Sequence, residues 1–298
     1  KSTKPIGFTN HPSPILSEKD DSIIYEMHIR DFTIDESSGV INDLRGTYLG
    51  AVEENTIYKN PYNGKYVKTG IDHLCELGIT HVHLMPIFDF GSVDERFPGS
   101  NNRNWGYDPK NFNVPEGSYC SNPYNPVTRI LELRQMIMKF HERGIRVVMD
   151  MVYNHMMSTV NMDNIVPGYY FRSDYLGRYT NGSGCGIELA SERPMVRKFI
   201  IDSCLHWIKD YKIDGIRFDL MELLDIDTTK EIVKKTTKLD KNFLIYGEPW
   251  KGGSSPLVNG TYKGSQKNEN FSIFNDTFRD AIRGNNHPSS GFINGNQY

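Results

Sequence analysis

The chain has 298 residues, 38% of them hydrophobic and 12% aromatic, enough apolar material for a large core, which excludes a disordered or fibrous polymer. Its 34 basic and 37 acidic side chains are spread along the whole length and leave a net charge of -3, so no basic arm offers itself to a phosphate backbone and nucleic acid is not an expected partner. No stretch approaches the ~20 apolar residues needed to cross a bilayer, and no membrane partner is expected.

Residues 1–21, with Pro5, Pro12 and Pro14, read as an extended lead-in or linker remnant. From residue 22 onward, short apolar runs alternate with helical patterns, which predicts an α/β fold with a parallel sheet or barrel. The runs are 23–29, 81–87, 146–152, 215–220, 243–246 and 271–274. Between the second and third, Asn125-Pro126 opens a helical pattern of Ile130, Leu133, Ile137 and Phe140 that Gly144 closes. Pro194 opens the next, with Val196, Phe199, Ile200, Leu205 and Ile208 toward one side. Thr228 and Glu231 have capping-box spacing ahead of Ile232 and Val233.

Three segments break the repeat: 31–68, 88–124 and 154–192 are rich in Gly, Asn, Pro and Tyr and poor in helical periodicity. Each follows a strand and precedes a helix. They are therefore expected on the carboxyl face of the sheet, where barrel enzymes build their sites, and their length suggests a large substrate. Cys75, Cys120, Cys185 and Cys204 lie far apart, without C-x-x-C spacing or a histidine pair nearby, so no metal site is expected through sulfur. Cys75 and Cys204, in amphipathic runs, read as small buried hydrophobes.

Polar residues interrupt the apolar runs at their ends. Asp150 and Asn154-His155 close the third strand, Arg217 and Asp219 lie in the fourth, and Glu248 ends the fifth. Charges within buried strands cost several kcal/mol unless paired or functional. Arg217 and Asp219, two apart, share one face of their strand. Taken alone they could be a buried ion pair, but Asp219 and Glu248 on adjacent strands also suit the roughly 5 to 5.5 Å pair of a retaining glycosidase. On that reading Arg217 lowers the pKa of Asp219, a less solvated Glu248 keeps its proton near neutral pH, and His155 donates to a sugar hydroxyl.

The runs Asp150-Met-Val-Tyr-Asn-His155, Asp214-Gly-Ile-Arg-Phe-Asp219 and Gly247-Glu-Pro-Trp250 resemble three motifs of the α-amylase superfamily of glycoside hydrolases. Asn104-Trp-Gly-Tyr-Asp-Pro109 resembles the motif that marks type I pullulanases, which cut α-1,6 links in pullulan and branched starch. The similarity runs from about residue 22 to residue 298 and takes in residues 25–32 and 191–198. It implies a TIM (β/α)8-type barrel and an α-glucan substrate, with Asp219 as nucleophile and Glu248 as acid/base. Arg217 and His155 would hold the sugar being cleaved, Tyr107 would stack on it, and Trp250 would offer a platform on the leaving-group side. Trp105 and Asp108 enter the substrate site with the same motif; for Asp150, hydrogen bonding within the barrel and substrate contact stay open. No metal or cofactor is required. A calcium ion is conceivable at Asn154, whose counterpart in some α-amylases serves as a ligand.

The pattern also departs from the family. Arg103 stands where the pullulanase motif usually opens with Tyr, and Ile187 stands where Asn is expected. The family's fourth motif, a His-Asp pair after the seventh strand, has no match after Glu248: His287 precedes Pro288, and Asp276 and Asp280 belong to a run that resembles the sixth unit. The expectation is therefore a barrel of six units over residues 22–298. The remaining units and a C-terminal β-sandwich would lie elsewhere on the full protein or on another chain, and a β-domain would precede residue 1. Such a piece alone should hydrolyse poorly. Isoamylase-type and α-1,4-cleaving members of the same superfamily are the near alternatives, against which residues 104–109 argue; a barrel that only binds glucan or serves as a scaffold is the alternative of another class, and the presence of both Asp219 and Glu248 argues against it. Asn181-Gly-Ser-Gly-Cys-Gly186 is glycine-rich but lacks the lysine of a phosphate-binding loop, and reads as an ordinary loop.

Overall fold

The computed structural model describes residues 3–96, 103–284 and 291–296; His287 and Pro288 lie outside them. Six parallel strands form one sheet: β1 (Ile24–Met27), β2 (His81–Leu84), β3 (Arg146–Met151), β4 (Gly215–Phe218), β5 (Leu244–Gly247) and β6 (Ser272–Ile273). Each strand pairs with its neighbour in the chain. That unbroken order is the winding of a (β/α) barrel and not of a doubly wound sheet, whose strand order reverses. The fold is α/β, a partial TIM-type barrel.

The crossovers are α1 (Gly70–Glu76), α2 (Pro126–Glu142), α3 (Pro194–His206) and α4 (Ile226–Thr237), and α5 (Asp276–Arg283) follows β6. Helix α2 starts and stops where its sequence says: the Asn125 side chain accepts the Val127 N–H at 3.1 Å, and Gly144 lies beyond its end in the left-handed region. For α4 the expected capping box fails. Asp225 caps the helix by accepting the Thr228 N–H, and the Thr228 hydroxyl donates instead to Ser191 O. Helix α3 runs into a π-helical turn, Trp207–Tyr211, which buries Trp207 and ends at left-handed Lys212.

The helices bury their apolar stripes against the outer face of the sheet, through Leu133, Ile137, Phe140, Val196, Ile200 and Ile232. The inner face is layered by strand register. His83, Val148, Gly215 and Leu244 sit side by side, and the next layer toward the carboxyl ends holds Asp150, Arg217 and Tyr246. Gly215 is required there: a Cβ would stand 2.9 Å from Val148 Cγ2 and 3.0 Å from Leu244 O.

The long segments after the strands carry small antiparallel pairs: Ile57–Lys59 with Tyr66–Lys68, Phe88–Phe90 with Pro109–Pro115, and His155–Met156 with Ile187–Glu188. Ile187 pairs with Met156 and packs on the core. At the opposite end the lead-in crosses the barrel floor. Arg146 Nε donates to Pro14 O at 2.8 Å, Arg134 Nη1 to Thr3 O at 2.9 Å, and Phe8 is buried with the Arg134 and Lys212 cations 5.7 and 5.5 Å from its ring.

Candidate active site

The carboxyl ends of β3, β4 and β5 converge on one guanidinium. Arg217 Nη1 donates to both oxygens of Asp150, at 2.9 and 2.8 Å, and to Asp219 Oδ1 at 3.0 Å. Its Nη2 stands 2.6 Å from Glu248 Oε1. Burial opposes the charge on Arg217, but Asp150, Glu248, Tyr107 and Asp219 outweigh it and hold the side chain cationic. The side chain also lies over Phe274, 5.7 Å from the ring centroid.

Asp150 is fully buried and takes a third bond from the Tyr107 hydroxyl at 2.9 Å. Burial pushes its pKa up, but Arg217 and further donors more than reverse this and hold it below its ordinary range. Asp219 follows β4 directly, with its N–H on Met151 O and Asn154 Nδ2 donating to its Oδ2 at 2.8 Å. Its pKa is raised to about 7, first by burial, then by the charge of Asp150, with Glu248 adding to the push and Arg217 opposing it. This corrects the expected direction: one guanidinium divided among three carboxylates cannot offset the desolvation of Asp219.

Glu248 is held from a second side. Leu220 N donates to its Oε2 at 3.0 Å, which the chain achieves by turning left-handed at Leu220, φ 40° and ψ 55°. A non-glycine residue in that region carries strain, and here it lies between the two carboxylates. Sequence reasoning had no signal for this contact, because it is made by backbone.

His155 lies at the wall with both ring nitrogens engaged, Nδ1 at 2.5 Å from Asn154 Oδ1 and Nε2 at 2.8 Å from Tyr107 O. Both neighbours are acceptors, and burial lowers the pKa of His155; a neutral ring can donate to only one of them. A sugar hydroxyl would therefore compete with an internal contact. Asn154 has its amide nitrogen on Asp219 and its oxygen on His155, which leaves that oxygen poorly placed for calcium. Among the described residues, Asp89, Glu95 and Glu116 lie near enough to share a cation. There Arg129 already pairs with Glu95, and Glu116 accepts from Phe90 N and Ser118 N.

The 103–109 loop forms another wall. Gly106 is left-handed, and a Cβ there would meet Pro86 at 2.8 Å, so glycine lets the turn deliver Tyr107 toward Asp150. Asp108 is spent on the turn itself, accepting from the Asn104 amide at 2.9 Å and from the Ser92 hydroxyl. Arg103 clamps the loop through Asp31 at 2.8 Å and lies over Trp105, 5.9 Å from its ring. Trp105 remains 55% exposed, the condition a stacking platform needs. Trp250 instead stacks on Phe274 at 6.4 Å and is not among the residues lining the cleft. That cleft, about 830 Å³ and open, is lined by Trp105, Tyr107, His155, Arg217, Asp219 and Glu248, together with Glu26, His28, Met85, Cys185 and Leu220.

A sequentially wound barrel with a paired Asp and Glu at the carboxyl ends of adjacent strands is an architecture that glycoside hydrolases use, and the model of the α-amylase catalytic domain matches residues 65–166 of this chain. The similar proteins include pullulanases and, at 35% identity over 91% of this chain, the chloroplastic isoamylase 3 of Oryza sativa. The Bacillus subtilis pullulanase is 43% identical over 99% of this chain, and Arabidopsis chloroplastic pullulanase 1 is 33% identical over 98%. The crystal structure of a Paenibacillus barengoltzii pullulanase in complex with maltohexaose and α-cyclodextrin superposes with a TM-score of 0.91 at 43% identity, over 98% of this chain and 45% of that one. The chain spans 40% of the length of the Bacillus relative and 34% of the Arabidopsis one.

Proposed function

We propose that this chain supplies the central catalytic machinery of an α-1,6-glucan debranching hydrolase that retains anomeric configuration. The observation that carries the proposal is the single guanidinium of Arg217 gripping Asp219 and Glu248 through its two terminal nitrogens at the floor of an open cleft. Carboxyl groups so held stand side by side, which favours direct attack over the wider spacing that must admit a water. Direct attack requires Asp219 ionised and a proton on Glu248.

With that proton on Glu248, Asp219 attacks the anomeric carbon while Glu248 protonates the departing O6 oxygen, giving a glucosyl ester on Asp219. Glu248, now ionised, takes a proton from water, whose oxygen attacks the same carbon and releases Asp219. Atoms and charges balance without a cofactor. Tyr107, kept neutral by burial and by Asp150, offers its ring to the sugar; Arg217 and His155 offer donors to its hydroxyls; Trp105 provides an apolar face for a flanking glucose unit. The α-1,6 preference rests on the resemblance of Asn104 to Pro109 to the pullulanase motif and on the pullulanase relatives.

The test is hydrolysis of pullulan and of linear amylose by the whole protein. Maltotriose should be released from pullulan, and Asp219→Asn should lower kcat by on the order of 10^4-fold or more. Cleavage of amylose with pullulan left intact would reject the debranching assignment.

A further inference from the structure

Beneath the carboxylates lies a polar contact that the mechanism above does not use. His83, at the centre of β2, is 3% exposed and brings Nε2 to 3.5 Å from Asp150 Oδ2, an ion-pair distance that is long for a hydrogen bond. Its Nδ1 stands 3.9 Å from Glu26 Oε1 on β1, and its ring meets Tyr246 of β5 edge-on at 5.8 Å. Neither His83 Nε2 nor the buried Tyr246 hydroxyl has a hydrogen-bond partner among the described residues. A barrel interior seldom retains such atoms unless they serve something, since each carries an uncompensated cost of desolvation.

What they stand next to is the hub of the site. Asp150 engages Arg217 Nη1 with both oxygens, and the same nitrogen also serves Asp219. A shift of the Asp150 carboxylate would therefore change how Arg217 is divided between Asp219 and Glu248. Resting on the retaining-hydrolase reading, we propose that His83 is a positioning residue, fixing the Asp150 carboxylate beneath Arg217 so that the guanidinium stays shared between the two reacting groups. The charged and titratable groups that face it are Glu26 from β1, Asp150 from β3, Arg217 from β4 and Tyr246 from β5, with the Tyr107 hydroxyl donating to the same Asp150 oxygen, Oδ2, that His83 approaches. Glu26 faces Nδ1 at 3.9 Å, and in the tautomer protonated on Nε2 that proton offsets part of the Asp150 charge. That charge is the second cause, after burial, of the raised pKa of Asp219. Removing the donor strengthens the repulsion on Asp219, which then holds its proton to higher pH.

The experiment compares His83→Phe and His83→Gln in the whole protein by pH profiles of kcat and kcat/KM on pullulan. His83→Phe should lower kcat roughly 10- to 100-fold with KM little changed, and move the acid limb upward by about half a unit or more. His83→Gln, which keeps an N–H donor, should restore both. If the Phe variant does not fold, as read by thermal unfolding, His83→Met replaces it as the donor-free change. An acid limb that stays put in every variant, or equal losses with and without the donor, would overturn the positioning role. Absence of pullulan hydrolysis by the unmodified protein would instead remove the reading on which it rests.

Discussion

Asp219 and Arg217 show how far a two-residue spacing can be trusted. The spacing places both side chains on one face of β4, and the 3.0 Å contact follows from it. The charge balance does not follow, because it depends on Asp150 and Glu248, brought to the same guanidinium by strand register with β3 and β5. A carboxyl group whose pKa rises from 3.8 to about 7 on folding binds its proton more tightly in the folded state. The stability linked to it is complete below pH ~4 and is lost as pH rises through ~7. Asp219→Asn removes that loss. Its melting temperature relative to the unmodified protein should climb between pH 4 and pH 8, by about 2–4 °C for each kcal/mol recovered. A difference that is flat across this range would mean that Asp219 is ionised throughout.

At the scale of elements, the strands were legible because buried parallel strands are written as continuous apolar runs, with the polar exceptions marking their carboxyl ends. Residues 23–29 contracted to Ile24–Met27, since His28 accepts the Asp31 N–H and starts a helical turn at Ile29. The capping box at Thr228 misled because the helix starts three residues earlier, where Asp225 caps it by accepting the Thr228 N–H. The antiparallel pairs in the loops went unread: Pro109–Pro115, with two prolines, two asparagines and a lysine, carries no strand signal of its own. Leu220 was invisible for a different reason, since the functional atom is its amide. Tight packing between β3, β4 and β5 gives a direct check. Gly215→Ala would press a methyl against Val148 and the Leu244 carbonyl, and this should cost ~1–3 kcal/mol, read as a fall in melting temperature together with reduced kcat as Arg217 moves. A Gly215→Ala protein with unchanged melting would contradict the layered interior.

For the molecule as a whole, the barrel separates stability from chemistry along its axis. The floor is tied by the lead-in through Arg134, Arg146 and Lys212, whereas the carboxyl face holds the buried charges and the open cleft. Sequence alone distinguishes these ends, because the long loops follow strands and the short turns follow helices. It does not reveal which aromatic rings face the cleft: Trp105 is exposed at the mouth, whereas Trp250 lies flat on Phe274. The central claim is that Asp219 and Glu248 act as adjacent nucleophile and proton donor on one glucosyl unit. Proton NMR of the first sugar released from pullulan by the whole protein, recorded before mutarotation, tests it most directly. The α-anomer should appear first; initial release of the β-anomer would contradict the pairing of these two carboxylates in a double displacement.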